Sequence, residues 1–364
     1  MVHNLTGGGA ERVASLWARG FAERGYEVGI VLNCGKDTPI TYKVPEQVMM
    51  YHLAGHPWVN YLANKLHRRL YFDTYYVRRL RRILKDFQPN VAIGVLQPYA
   101  EWARKASKGM NIKIINTEHN SFERPESAPL SKQERKKKYE WNKRYTHVTL
   151  LTDVDRRCVD GLLNNISVLP NPLTFRPADK VPTKDNFILA MGRLDDGHYK
   201  GFDVLIKAFG MTINSWSLQI AGFGKPKTIE KYQKLAEECG VADRVHFSGF
   251  TSDAMKLFQK ASIFVLSSRY EGFGMVLIEA MSQGCAPIAC DYKGRQREII
   301  TSDREGLLCE PDNPKALADA IDRMIADKEY RLSVQKNAIE RTKYYSLDKT
   351  MDRWEEILKK INAI

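Results

Sequence analysis

The chain has 364 residues, 43% hydrophobic and 27% charged. That is an ordinary globular composition, and at roughly 150 residues per domain it makes two domains. No apolar run approaches the ~18 residues of a membrane helix, and no charged-then-apolar leader opens the chain, which argues against secretion. The net charge of +13 is lopsided: residues 1–170 carry 27 Lys and Arg against 16 Asp and Glu, whereas 171–364 carry 29 against 27. A cationic half points to a phosphate-bearing partner: nucleic acid, an anionic lipid surface or a phosphorylated substrate. Six cysteines are scattered at 34, 158, 239, 285, 290 and 309, with no CxxC. They read as reduced packing groups, not as a disulfide framework or zinc site.

The chain opens on a stub, Val2–Leu5, then Gly7-Gly8-Gly9-Ala10-Glu11-Arg12 and a helical stretch over Glu11–Arg24. Three glycines allow close approach of a ligand to the backbone at a helix start, although a tight turn alone would also need them. A doubly wound domain normally feeds this loop from a full apolar strand. Either the strand is very short or an apolar segment of ~4–6 residues is expected upstream. Strands follow at Val28–Asn33 and Val48–Leu53. From Trp58 to Lys85 the period is helical, with Leu62, Leu66, Leu70, Val77, Leu80 and Leu84 on one stripe. Lys65, Arg68, Arg69, Arg78, Arg79, Arg81, Arg82 and Lys85 fill the rest, with Tyr71 and Tyr75. Such a face suits an anionic membrane surface, or simply solvent.

Further strands are expected at Val91–Leu96, Ile112–Asn116 and Val148–Thr152. The second of these ends in Thr117-Glu118-His119-Asn120, which places His119 where a ligand could meet it; a lone histidine is as often structural. The basic run Arg135–Lys138, with Lys143 and Arg144, would extend the cationic face. Asp153-Val154-Asp155 has the form of a metal-holding DxD. That motif belongs to a different, single-domain architecture, so no metal site is expected. Leu169–Lys184 contains Pro170, Pro172, Pro177 and Pro182 and has no period, which marks a linker.

The second half repeats the strand–helix alternation. Strands are expected at Phe187–Met191, Ser217–Ala221, Ile263–Ser267 and Ala286–Cys290, and helices at Phe202–Phe209, Thr228–Cys239 and Pro314–Ala326. Short, wholly apolar strands are those of a parallel sheet covered on both faces. Gly192-Arg193-Leu194 and Lys200-Gly201 follow the first strand, so two cations bracket a loop able to hold a departing diphosphate. Gly222-Phe223-Gly224-Lys225 is a second, less specific glycine loop. The strongest feature is Glu271-Gly272-Phe273-Gly274-Met275-Val276-Leu277-Ile278-Glu279. It follows a strand and opens a helix, so two carboxylates eight residues apart flank a positive helix end. The end suits a diphosphate, and the carboxylates suit sugar hydroxyls.

Taken together, GGGAERV, TEHN, LPNPL, GRL with its following KG, AGFG, RVHFSGF and SSRYEGFGMVLIEAMSQGCAPIA resemble the retaining GT-B glycosyltransferases of family 4 over nearly the whole chain. The resemblance implies an α/β GT-B fold, two doubly wound Rossmann-like domains facing across a cleft. Residues 1–170 would bind the acceptor and 171–345 the nucleotide-sugar, with 346–364 a helix crossing back to the first domain. It implies transfer of a hexose or N-acetylhexosamine from a nucleotide-sugar, most naturally a UDP-sugar, to a lipid-linked or glycan acceptor in polysaccharide or glycolipid synthesis. Arg193 and Lys200 would bind the donor diphosphate and Glu279 the ribose. The loop Gly272, Phe273, Gly274, Met275 and Val276 would reach sugar or phosphates through its amides. Glu271 would face the hexose, His119 would lie near sugar and acceptor, and Gly8 and Gly9 would border the site. No cofactor, metal or nucleic acid is expected. The implied place is cytoplasmic, peripheral on the inner face of the cytoplasmic membrane. Rival readings are a nucleotide-sugar epimerase of the same fold and a non-enzymatic binder of anionic membranes or nucleic acid.

Overall fold

A computed structural model describes residues 1–54, 70–122, 130–212, 215–251 and 253–364. They form two compact units: one holds the described residues up to Pro172 with Leu347–Ile364, the other Leu173–Ser346. Between Val168 and Asp185 there is no regular structure.

In the first unit, β1 (Gly29–Leu32) and β2 (Met49–His52) pair in parallel, with Gly29 opposite Met49. The strands β3 (Val91–Val95), β4 (Lys113–Thr117), β5 (His147–Leu150) and β6 (Ile166–Val168) form a parallel sheet in the order β3-β4-β5-β6. The chain's first two residues stand between these pieces. Val2 bridges Leu32 in parallel, donating to the Val31 carbonyl at 3.1 Å, and Val95 donates to the Met1 carbonyl at 2.9 Å. Of the expected stub Val2–Leu5, only Val2 joins the ladder, together with Met1 before it. Leu5 stays buried, and its carbonyl instead accepts from Thr41 and Tyr42 at 2.9 and 3.1 Å.

Helices Gly9–Glu23, Leu70–Phe87, Gln97–Ala106 and Lys132–Asn142 accompany these strands. The core gathers Leu53, Leu80, Ala100, Val148 and Leu150. Gly94 is required: a Cβ there would enter the Ala100 backbone. Of the basic stretch, residues 58–69 lie outside the described residues. The helix from Leu70 buries Tyr76, Leu80 and Leu84. Two of its cations serve the fold. Arg79 donates to the Tyr75 hydroxyl at 2.9 Å and the His52 carbonyl at 3.1 Å, and Arg81 donates to the Ala106 and Lys108 carbonyls at 2.6 and 2.8 Å. Arg78, Arg82 and Lys85 are exposed.

The C-terminal helix, Leu347–Lys360, packs on the first helix. Trp354 is fully buried and meets Trp17 edge-on at 5.1 Å, while Arg24 pairs with Asp352 at 2.7 Å and Glu355 at 3.1 Å.

The second unit is one six-stranded parallel sheet in the order β12-β11-β10-β7-β8-β9. The strands are β7 (Asp185–Met191), β8 (Ser217–Ala221), β9 (Val245–Gly249), β10 (Ala261–Leu266), β11 (Ala286–Cys290) and β12 (Leu307–Cys309). Both β10 and β11 are buried along their whole length, as helices on both faces require. From β7 the chain moves outward to β8 and β9, then returns to the other side of β7 as β10. The reversal lies between β7 and β10, and the carboxyl ends of strands at such a reversal are where α/β sheets hold ligands.

Candidate active site

Two loops meet at that reversal. After β7 come Arg193 and the short helix Gly197–Lys200; after β10 come Ser267–Glu271. They are laced together. Ser267 donates to the Lys200 carbonyl at 2.9 Å, and Arg269 N–H to the Tyr199 carbonyl at 2.8 Å. The Arg269 guanidinium also forks onto both oxygens of Asp203, each at 2.8 Å. Burial alone would raise the Asp203 carboxyl, but this fork and the backbone N–H groups of Asp203 and Val204 together outweigh it and hold it below the usual carboxylate range. Gly201 allows the close approach. Its φ is +63°, and a Cβ would strike the Ser267 carbonyl oxygen.

The lacing brings together two of the expected residues. Lys200 Nζ lies 2.6 Å from Glu271 Oε1, which also accepts from Ser268 at 2.8 Å. Both charges are part-buried, so water screens their pairing less than at an open surface. Beyond Glu271, Gly274 takes φ +98° and starts the helix Met275–Ser282. The first turn of a helix has backbone N–H groups without intrahelical partners, and its dipole favours an anion there. Met275 and Val276 occupy that turn. The Phe273 ring is buried and turned against Tyr345 at 5.6 Å, so the residue offers the site its backbone. Glu279, one turn on, is only 4% exposed and accepts from the Thr174 hydroxyl at 2.5 Å.

Arg193 is exposed on a loop fixed from below. Gly192 donates to the Ala221 carbonyl at 3.0 Å and Leu194 to the Phe223 carbonyl at 2.8 Å. A Cβ on Gly222 would occupy the Gly192 carbonyl. Asp195 accepts from Lys225 N–H at 3.0 Å and the Thr228 hydroxyl at 2.7 Å, so the second glycine loop braces the first. Phe223 and Phe250, at the ends of adjacent β8 and β9, are 59% and 75% exposed, which is unusual for Phe.

In the first unit, His119 stands just past the end of β4. Its Nε2 is 3.0 Å from the Thr117 hydroxyl and its ring 5.6 Å from Trp17. Burial pushes its pKa down to about 4, against a smaller opposing effect from Asn171; near pH 7 it is therefore neutral, with one donor and one acceptor. Glu118 is buried and held by Lys138 at 3.0 Å and by Asn142 at 3.0 Å. Lys138 is thus half-buried and engaged by the fold, while Lys132, Arg135, Lys136 and Lys137 are exposed. Gly8 caps the helix that begins at Gly9, and a Cβ on it would strike the Glu11 carboxylate. The DxD carboxylates are engaged within the fold. Asp153 pairs with Arg156 at 2.6 Å and Arg157 at 2.5 Å; Asp155 accepts from Phe122 N–H at 3.0 Å and the Thr152 hydroxyl at 2.7 Å.

Sequence reading missed Ser268, Arg269 and Thr174, which hold the expected residues in place. Ser268 and Arg269 lie directly before the Glu271 motif, and proximity was their only signal. Thr174 lies 105 positions from Glu279, with no local sign of the pairing.

Residues 7–173 match the family described as Glycosyltransferase Family 4, and residues 173–341 that described as Glycosyl transferases group 1. The chain is 28% identical over 358 residues to an uncharacterized glycosyltransferase of Haemophilus influenzae, covering 96% of both. It is 25% identical, over 94% of both, to the N-acetylgalactosamine-N,N'-diacetylbacillosaminyl-diphospho-undecaprenol 4-alpha-N-acetylgalactosaminyltransferase of Campylobacter jejuni. Its fold matches Anabaena Alr3699/HepE, solved in complex with UDP and glucose, with a TM-score of 0.77 at 17% identity over 98% of both chains.

Proposed function

The chain belongs to the GT-B glycosyltransferases of family 4, and from that premise we propose that it transfers a hexose or N-acetylhexosamine from a UDP-sugar, with retention, to a lipid-linked or glycan acceptor. The observation that carries the reading is the Lys200–Glu271 pair at the sheet reversal, beside the start of the helix Met275–Ser282. Glu271 holds the Lys200 charge. A donor diphosphate would take over that charge together with the Met275 and Val276 amides and Arg193, leaving Glu271 to accept from hexose hydroxyls. Glu279 would accept from the ribose. The exposed rings of Phe223 and Phe250 offer the base an apolar surface.

In the reaction, the bond from the anomeric carbon to the diphosphate oxygen breaks and its electron pair leaves with the diphosphate. The acceptor oxygen bonds to the same face, and its proton passes to the departing oxygen. The sugar passes through an oxocarbenium-like state. The main task is to neutralise the leaving group, which fixed cations and amides do without reorganising. Neutral His119 would hold a hydroxyl by hydrogen bonding. The UDP and undecaprenol in the descriptions of HepE and the Campylobacter enzyme favour these classes of donor and acceptor. The protein would work peripherally at the inner face of the cytoplasmic membrane, docked through Arg78, Arg82 and Lys85.

The test is a screen of UDP-, ADP- and GDP-sugars for thermal stabilisation and for slow hydrolysis without acceptor. A raised melting temperature and nucleotide release with one donor set support the reading. No response to any would contradict it, and interconversion of sugars without release would favour an epimerase.

A further inference from the structure

We infer that Thr174 is a positioning residue of the donor site, whose hydroxyl sets the carboxylate of Glu279. The inference rests on the reading of Glu279 as the group that takes the donor ribose. Thr174 lies in the second unit, on a segment that runs along the helix Met275–Ser282 and is fastened to its neighbours at several points. Leu173 N–H donates to the Tyr345 carbonyl at 2.7 Å. Gln283 Nε2 donates to the Arg176 carbonyl at 3.0 Å. Ala178 N–H donates to the Ser282 carbonyl at 2.8 Å. Between these fixed points the Thr174 hydroxyl reaches Glu279 Oε1 at 2.5 Å, the length of a strong charge-assisted bond.

The bond engages one carboxylate oxygen and restricts how the carboxylate, and so its second oxygen, is turned. A ribose hydroxyl needs that second oxygen at one place, so the strap and the ribose are read by the same group. The diphosphate is held elsewhere, by Lys200, Arg193 and the helix start. Loss of the Thr174 hydroxyl should therefore weaken ligands that contain ribose and spare those that do not. A bond that only stabilises the fold would not make this distinction.

The experiment titrates the full-length protein with UDP, ADP and GDP, follows the tightest of the three, and uses inorganic diphosphate as the ribose-free probe. Thr174→Val should weaken the nucleotide by about tenfold, within the usual coupling of contacting residues, and leave diphosphate affinity unchanged. Thr174→Ser, which keeps the hydroxyl, should restore nucleotide binding. Thr174→Val combined with Glu279→Gln should bind no worse than Glu279→Gln alone. Should Thr174→Val not fold, Thr174→Ala makes the same comparison. Wild-type nucleotide affinity in Thr174→Val, or equal loss for nucleotide and diphosphate, overturns the inference. A Glu279→Gln protein that binds nucleotide like the wild type overturns the ribose reading itself, and a wild type that binds no nucleotide overturns the donor site.

Discussion

At the scale of residues, the site depends on atoms that only glycine leaves room for. Gly201 combines a φ of +63° with contact against the Ser267 carbonyl. Gly201→Ala must push apart the loops that carry Lys200 and Glu271, at a cost of about 1–3 kcal/mol for the strained backbone. Its melting temperature should fall, and the added stabilisation by UDP should disappear; retention of the UDP response would contradict the loop geometry. Histidines give a second prediction. Burial, then the nearby Lys360 charge, lowers the His147 pKa to about 4, and His119 is lowered to about 4 as well. An unfolded chain takes up these protons below about pH 6.5, and the folded one does not until about pH 4. Stability is therefore present above pH 6.5 and is lost as pH falls toward 4. Melting curves from pH 7 to 4.5 should show that fall, and His147→Gln should make it shallower. An unchanged slope would contradict the burial argument. Cys285 and Cys290 fit the packing role expected of them: burial raises them to about 11 and about 12, so neither is a reactive thiolate at neutral pH.

At the scale of elements, legibility followed burial and length. Strands β7, β10 and β11 stand out in the sequence because Ile188–Ala190 of β7 and the whole of β10 and β11 are buried, predominantly apolar stretches. Those missed are short or sit at sheet edges: Ile166–Val168, Leu307–Cys309, and Val245–Gly249, where His246 and Ser248 are exposed. The opening strand was legible only as an anomaly, because Met1 and Val2 are held by neighbours distant in sequence. Among candidate site residues, those in loops after strands are legible, since strand ends are easy to locate. What fastens them is less so: Ser268 stands on the same loop as Glu271 with no sign of its role, and Thr174 comes from a distant segment. The C-terminal helix illustrates how such distant segments cooperate. Trp354 lies against Trp17, and Trp17 against His119. Trp354→Ala should destabilise the first unit by about 3–5 kcal/mol, as for other buried large-to-small changes. Calorimetry should show an early transition for that unit, and a single unshifted transition would contradict the packing.

At the scale of the whole molecule, the cationic surplus of residues 1–170 divides into charges used by the fold and charges left exposed. Arg79, Arg81 and Lys138 hold carbonyls or Glu118; Arg78, Arg82 and Lys85 are exposed. At ~1 kcal/mol per basic residue near an anionic surface, the triple substitution Arg78→Ser, Arg82→Ser and Lys85→Ser should sharply reduce co-sedimentation with anionic vesicles at low salt. The pair Arg79→Ser and Arg81→Ser should instead lower stability. Equal binding to neutral and anionic vesicles would contradict docking by charge. The central claim concerns the other unit: that cations and a helix start carry the leaving diphosphate. Steady-state transfer from the donor found by screening, measured for wild type and Lys200→Ala with and without EDTA, tests it most directly. The account predicts a loss of on the order of 10²–10³ in turnover for Lys200→Ala, the effect of removing one preorganised electrostatic group, and no effect of EDTA on the wild type. Full turnover in Lys200→Ala, or abolition by EDTA with recovery on adding Mn²⁺, would contradict it.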